Sequence, residues 1–154
     1  MDHVGLTVPD LEQAIDFFTA AFNAEVLFHH GGYQPRAQVN RENFNRPEHV
    51  SIVGIAMIQM PQFRLELLQY RGAATDARFP ITHEPGGHQL SLYAPDMDVA
   101  MARIELAGGR VLGSPMSMSG PEAGDGNQFV YCQTPWGLAI ELVHYPHGKA
   151  YEQA

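Results

Sequence analysis

The stretch "HVGLTVPDLEQAIDFF" near the start of the chain returns, altered, as "QLSLYAPDMDVAMARI" in its second half. Laid over one another across the 86 positions from Pro9 to Pro95, Asp10 meets Asp96 and Ala14 meets Ala100. Further along, "AEVLF" is answered by "GRVLG". "FRLELLQY" is answered by "GLAIELVHY", now across the 75 positions from Glu66 to Glu141. The shift shrinks because the first half carries a longer middle segment, Gly31 to Pro47, rich in Gly, Asn and Arg. Such a repeat constrains the fold more than any other feature. Neither half can bury both faces of its own sheet, so the two must pack as similar modules about a pseudo-two-fold axis.

Within the first half, Val4, Leu6 and Val8 alternate with His3, Gly5 and Thr7, the pattern of a half-buried strand. Asp10 then caps a helix in which Leu11, Ala14, Ile15, Phe18 and Phe22 recur at helical spacing. Each half therefore reads strand, helix, strand, strand, strand. The expected fold is α+β, two tandem βαβββ modules in one domain over residues 1–154. Module one spans about residues 1–70, a linker about 71–87, module two about 88–145 and a tail 146–154, with 31–47 expected as a loop.

Composition narrows the function. The formal net charge is −8, from 9 basic and 17 acidic residues, and Lys149 is the single lysine. With no clustered positive face, binding to a nucleic-acid backbone is not expected. The apolar runs are too short to span a bilayer, and nothing ahead of "DHVGLTV" reads as a signal peptide. A lone Cys132 excludes an internal disulfide and suits a reducing compartment. The expectation is a soluble cytoplasmic domain.

The segment "GGHQLSLYAPD" sets adjacent His88 and Gln89 at the head of the second module's first strand, and one residue of register separates two different sites. If Pro95 lies over Pro9, then Gln89 lies over His3, and Gln89, Ser91 and Tyr93 share a face opposite Leu90, Leu92 and Ala94. Placing His88 on the His3 face would turn Leu90 and Leu92 out of the core, so the apolar pattern favours Gln89. Glu66 and Glu141 sit mid-strand at equivalent repeat positions, between Leu65 and Leu67 and between Ile140 and Leu142. An unpaired buried carboxylate is costly. Either each glutamate faces solvent on a one-sided sheet, or the two belong to a shared site.

On these residues the chain resembles the vicinal oxygen chelate superfamily, which includes glyoxalase I, methylmalonyl-CoA epimerase, extradiol dioxygenases and antibiotic-resistance proteins. The likeness runs from "DHVGLTVPD" to "TPWGLAIELV". It implies modules curled into a cup-shaped mixed sheet with the helices outside, and a homodimer. It also implies one divalent metal ion on the first and last strands of each module, here His3, Glu66, Gln89 and Glu141. His88 is then a flanking neighbour of the site or an alternative ligand. An imidazole, two carboxylates and an amide suit Zn, Ni, Co, Mn, Mg or Fe without selecting among them. The set departs from the two-histidine, one-carboxylate arrangement of a dioxygenase.

"NRPEHVSIVGIAM" resembles the "PEQGV" segment of methylmalonyl-CoA epimerases, which implies a catalytic role for Glu48. A Lewis-acidic metal with Glu141 or Glu66 as base, and Glu48 as a second carboxylate, would abstract a proton beside a carbonyl. The expectation is a metal-dependent isomerase or epimerase acting on a small polyhydroxylated ketone or acyl thioester. A lactoylglutathione-lyase-like enzyme and a metal-free drug- or metabolite-binding protein of the resistance type are the alternatives. His29, His30, His83, His144 and His147 are expected at the surface or rim, and the methionines as gap fillers.

Overall fold

The computed structural model describes residues 1–72 and 82–152; residues 73–81 of the expected linker and the last two of the tail lie outside the described residues. The chain divides between Ala77 and Arg78 into two compact units. The first contains β1 (Val4–Thr7), α1 (Leu11–Phe22), β2 (Glu25–Tyr33), α2 (Ala37–Asn43), β3 (Ser51–Gln59) and β4 (Arg64–Arg71). The second contains β5 (Gln89–Tyr93), α3 (Met97–Leu106), β6 (Arg110–Ser117), β7 (Gln128–Gln133) and β8 (Ala139–His144). Their sheets run β1-β4-β3-β2 and β5-β8-β7-β6, so the tandem βαβββ, α+β architecture holds.

In each sheet the first strand lies parallel to the last and the remaining pairs are antiparallel. Gly5 pairs with Glu66 and Ser91 with Glu141, so the repeat survives in register as well as in sequence. The parallel pair places His3 and Gln89 two residues ahead of the partners of the two glutamates. Period-two alternation turns them to the glutamates' face.

The helices start alike and pack differently. Asp10 and Asp96 are both extended, and their carboxylates accept from the backbone N–H of Gln13 at 2.9 Å and of Val99 at 3.0 Å. Each satisfies a donor that the first helical turn leaves open. α1 ends on Asn23, left-handed at φ 53, where the Asn23 N–H donates to the Thr19 carbonyl and the Ala24 N–H to that of Phe18. It buries Leu11, Ala14, Ile15, Phe17, Phe18 and Ala21, whereas α3 buries Met97 and Ile104.

The loop expected over 31–47 is corrected: β2 continues to Tyr33, and α2 occupies Ala37–Asn43. Asn40 supplies the reason, since its buried side chain donates to the carbonyls of Glu48 and Val50 and ties α2 to the approach into β3. Gly32 allows β2 to lie against β3, because a Cβ there would collide with the Ile52 carbonyl. Among the described residues no helix is long and apolar enough to cross a membrane.

Candidate functional site

In the first unit, β1 delivers His3 and β4 delivers Glu66. The imidazole Nε2 stands 3.7 Å from Glu66 Oε2, with the side chains 35% and 28% exposed. On its other side Nδ1 donates to Asp2 Oδ2 at 2.8 Å, and this bond holds the Asp2 carboxyl below the ordinary carboxylate range. A carboxylate only accepts, so Nδ1 carries a proton, and the neutral form of the ring would present its Nε2 lone pair to Glu66. Two acceptors then face each other, an arrangement that calls for a proton or a cation between them. Gly5, paired with Glu66, leaves the carboxylate room: a Cβ there would meet Oε2 only at 3.8 Å.

In the second unit, β5 delivers Gln89 and β8 delivers Glu141. Gln89 Nε2 donates to Glu141 Oε2 at 3.2 Å and to the Tyr131 hydroxyl at 3.1 Å. The same hydroxyl lies 3.4 Å from Gln89 Oε1. Tyr131 stands on β7 directly opposite Glu141 and packs edge-on against Phe129. His88 lies outside β5, its Nδ1 3.3 Å from the Gly86 carbonyl. The residue brought to Glu141 is thus Gln89 and not its neighbour.

Glu48 stands apart from the His3–Glu66 pair of its own unit. It sits in the turn before β3, its carboxylate engaged by Arg41 of α2 and half exposed. His29 pairs with Glu12 at 3.4 Å, and His144 lies 2.7 Å from the Ala94 carbonyl.

Two participants escaped the sequence reading. Asp2 was legible only as the residue before His3. Tyr131 was recoverable by counting out from the β7–β8 turn, where Gly137, at φ 95, donates its N–H to the Thr134 carbonyl. Five residues on either side of Trp136 lie Tyr131 and Glu141.

The donor chemistry fits a divalent ion. Among the described residues neither Glu66 nor Glu141 has an arginine or lysine partner, and His3 in its neutral form would present an oriented lone pair. Among the same residues no group of three or more His, Cys, Asp or Glu forms a metal centre by itself. Each unit offers one carboxylate and one neutral donor.

Residues 2–131 match the model of the Glyoxalase/Bleomycin resistance protein/Dioxygenase superfamily, and the chain belongs to that family. It is 36% identical over 157 aligned residues to a 2-epi-5-epi-valiolone epimerase of Actinomyces sp., covering 98% of this chain and 82% of that one. It is 30% identical over 116 residues to an ethylmalonyl-CoA/methylmalonyl-CoA epimerase of Cereibacter sphaeroides, covering 74% of this chain and 75% of that one. A glyoxalase family protein from Bacillus cereus shares the fold with a TM-score of 0.72 at 20% identity, over 94% of this chain and 92% of that one.

Proposed function

We propose that this protein is a metal-dependent epimerase that inverts a carbon next to the carbonyl of a small polyhydroxylated ketone. The observation that carries the reading is the pair of half-buried carboxylates, Glu66 and Glu141, each beside a neutral donor and away from any arginine or lysine among the described residues. The relative with the longer match is named for epimerising a valiolone, which favours the ketone over the acyl thioester. The net charge of −8 argues the same way, against recognition of a CoA diphosphate.

His3, Glu66, Gln89 and Glu141 would hold the metal. When bound, it would supply Lewis-acid polarisation of the substrate's carbonyl oxygen. Asp2 keeps the His3 proton on Nδ1 and so leaves Nε2 as a donor. Glu141, held among the described residues by a neutral amide, accepts the proton from the carbon beside the carbonyl. The electron pair of that C–H bond passes into an enolate. Glu48, released from an exposed ion pair worth at most about 1 kcal/mol and protonated from solvent, gives that proton to the opposite face, while Glu141 loses its own to solvent. Substrate and product are isomers, and no other reactant enters.

The protein acts as a homodimer in this reading. The edge strand β2 supports it, with Val26, Leu27 and Phe28 all exposed. Buried Cys132 accords with a reducing cytoplasm. The test is incubation of metal-loaded protein with 2-epi-5-epi-valiolone in deuterium oxide, followed by proton NMR. Epimer formation with deuterium at the inverted carbon is expected. Absence of both exchange and epimer, whichever of the six metals is loaded, would overturn the reading. Sedimentation of only a 17.0 kDa species at micromolar concentration would overturn the dimer.

A further inference from the structure

The Gln89 carboxamide stands with its polarity reversed relative to what a metal ligand needs. Its nitrogen, not its oxygen, faces Glu141, at 3.2 Å. Without a cation this is the only orientation that satisfies the pair, because turning the amide oxygen towards the carboxylate would set two acceptors against each other. With a cation between them the amide must turn and offer its oxygen, and its NH2 group then needs a new acceptor. One side chain beside the amide can serve both orientations. The Tyr131 hydroxyl lies 3.1 Å from Nε2 and 3.4 Å from Oε1, and a hydroxyl both donates and accepts. The phenol is itself placed by strand register, opposite Glu141, and by its edge-on contact with Phe129.

We infer that Tyr131 is the positioning residue of the second half-site: its hydroxyl holds the Gln89 amide in either orientation and lets it turn from a donor to Glu141 into an oxygen ligand. This rests on the metal reading proposed above. The corresponding position of the first unit is Met57, opposite Glu66 on β3. An imidazole already oriented by Asp2 needs no such partner, so the asymmetry follows from the exchange of histidine for glutamine.

The test compares the wild type with Tyr131→Phe, Gln89→Ala and the double variant. Two measurements are made: the Gln89 side-chain amide resonances of metal-free protein by heteronuclear NMR, and the affinity for Zn²⁺ alone by competition with a chromogenic chelator. Tyr131→Phe is expected to move the Gln89 amide pair towards the position of exposed glutamines. It should also weaken zinc by about 10- to 100-fold, the usual cost of losing an orienting partner. In the Gln89→Ala background the same replacement should cost nothing further, because Tyr131 acts through that amide. Unchanged Gln89 signals, or losses that simply add in the double variant, would overturn the inference. If zinc fails to bind the wild type, the metal reading falls, while the Gln89 signals still decide whether Tyr131 orients the amide.

Discussion

The two units share topology, register, a capping aspartate and a mid-strand glutamate, yet the partners of the two glutamates differ. In the first, an imidazole nitrogen and a carboxylate face each other at 3.7 Å, a pair that a shared proton or a cation would join. In the second, an amide has already filled that role with its own hydrogen. A single exchange, His3 against Gln89, accounts for the contrast, and each unit has recruited a different orienting neighbour, Asp2 or Tyr131. Duplication thus preserved the scaffold and let the donors diverge. A buried asparagine braces each scaffold in a similar way: Asn40 bonds the carbonyls of Glu48 and Val50, and Asn127 those of Glu122 and Gly148.

The sharpest way to break the comparison is to remove the two carboxylates in turn. Glu141→Gln should lower epimerisation by about 10²- to 10⁴-fold, the worth of a general base. Glu66→Gln should act mainly through metal affinity, so saturating metal should restore part of its activity and none of that of Glu141→Gln. Equal rescue of both would make the half-sites interchangeable. Glu48→Gln, in the same assay, should retain deuterium exchange while losing the inverted product.

Packing provides the next contrast. Phe18→Ala in α1 should cost about 3–5 kcal/mol by leaving a cavity. Val99→Ala on the exposed face of α3 should stay within about 0.5 kcal/mol, both read from urea denaturation. A large loss at Val99 would show that α3 has a partner its 54% exposure does not reveal.

If the protein binds metal as proposed, zinc at about 100-fold over its dissociation constant would contribute about 2.7 kcal/mol. Chelation should therefore lower Tm by about 5–10 °C in a chain of this size. The Gln89→His variant, whose second half-site copies the first, should show at least as large a shift, because imidazole is a stronger donor than an amide to most of these ions. A smaller shift would mean that the glutamine is more than a substituted histidine.

The helix caps should behave alike. Asp10→Ala and Asp96→Ala should each cost about 1 kcal/mol in thermal or denaturant melts, since the geometry at both is the same. The smallest effect concerns Cys132, which faces Ile140 across β7–β8 as Ile58 faces Leu65 across β3–β4. Burial pushes its thiol up to about 11. Alkylation at pH 8 should be negligible in folded protein and complete once urea unfolds it. The sign follows: the unfolded thiol ionises first as pH rises past about 9, so stability declines from there to about 11.

Much of this was legible beforehand because strands and amphipathic helices write their periods into the chain. The alternation of Val4, Leu6 and Val8, the spacing of Leu11, Ala14, Ile15 and Phe18, and the doubling of both patterns were enough for a tandem βαβββ fold. They also put Gln89 on the same face as Ser91, because a slip of one residue would have exposed the aliphatic side. The residue types at these positions, one histidine, one glutamine and two glutamates, stand in the sequence itself, while the donor role proposed for them came from the family resemblance. What the chain could not declare depends on side-chain contacts that its periodicity does not encode. β2 runs on to Tyr33 by pairing with Ile52 of β3, and α2 is tied down in an apparent loop by Asn40 finding two carbonyls eight and ten residues away. That Glu48 is held by Arg41, that Asp2 orients His3, and that the Gln89 amide turns its nitrogen to Glu141 under the Tyr131 hydroxyl were decided only in the fold. Hydrogen-bond polarity is set by which partners come within about 3 Å, and only tertiary structure brings residues 89, 131 and 141 that close.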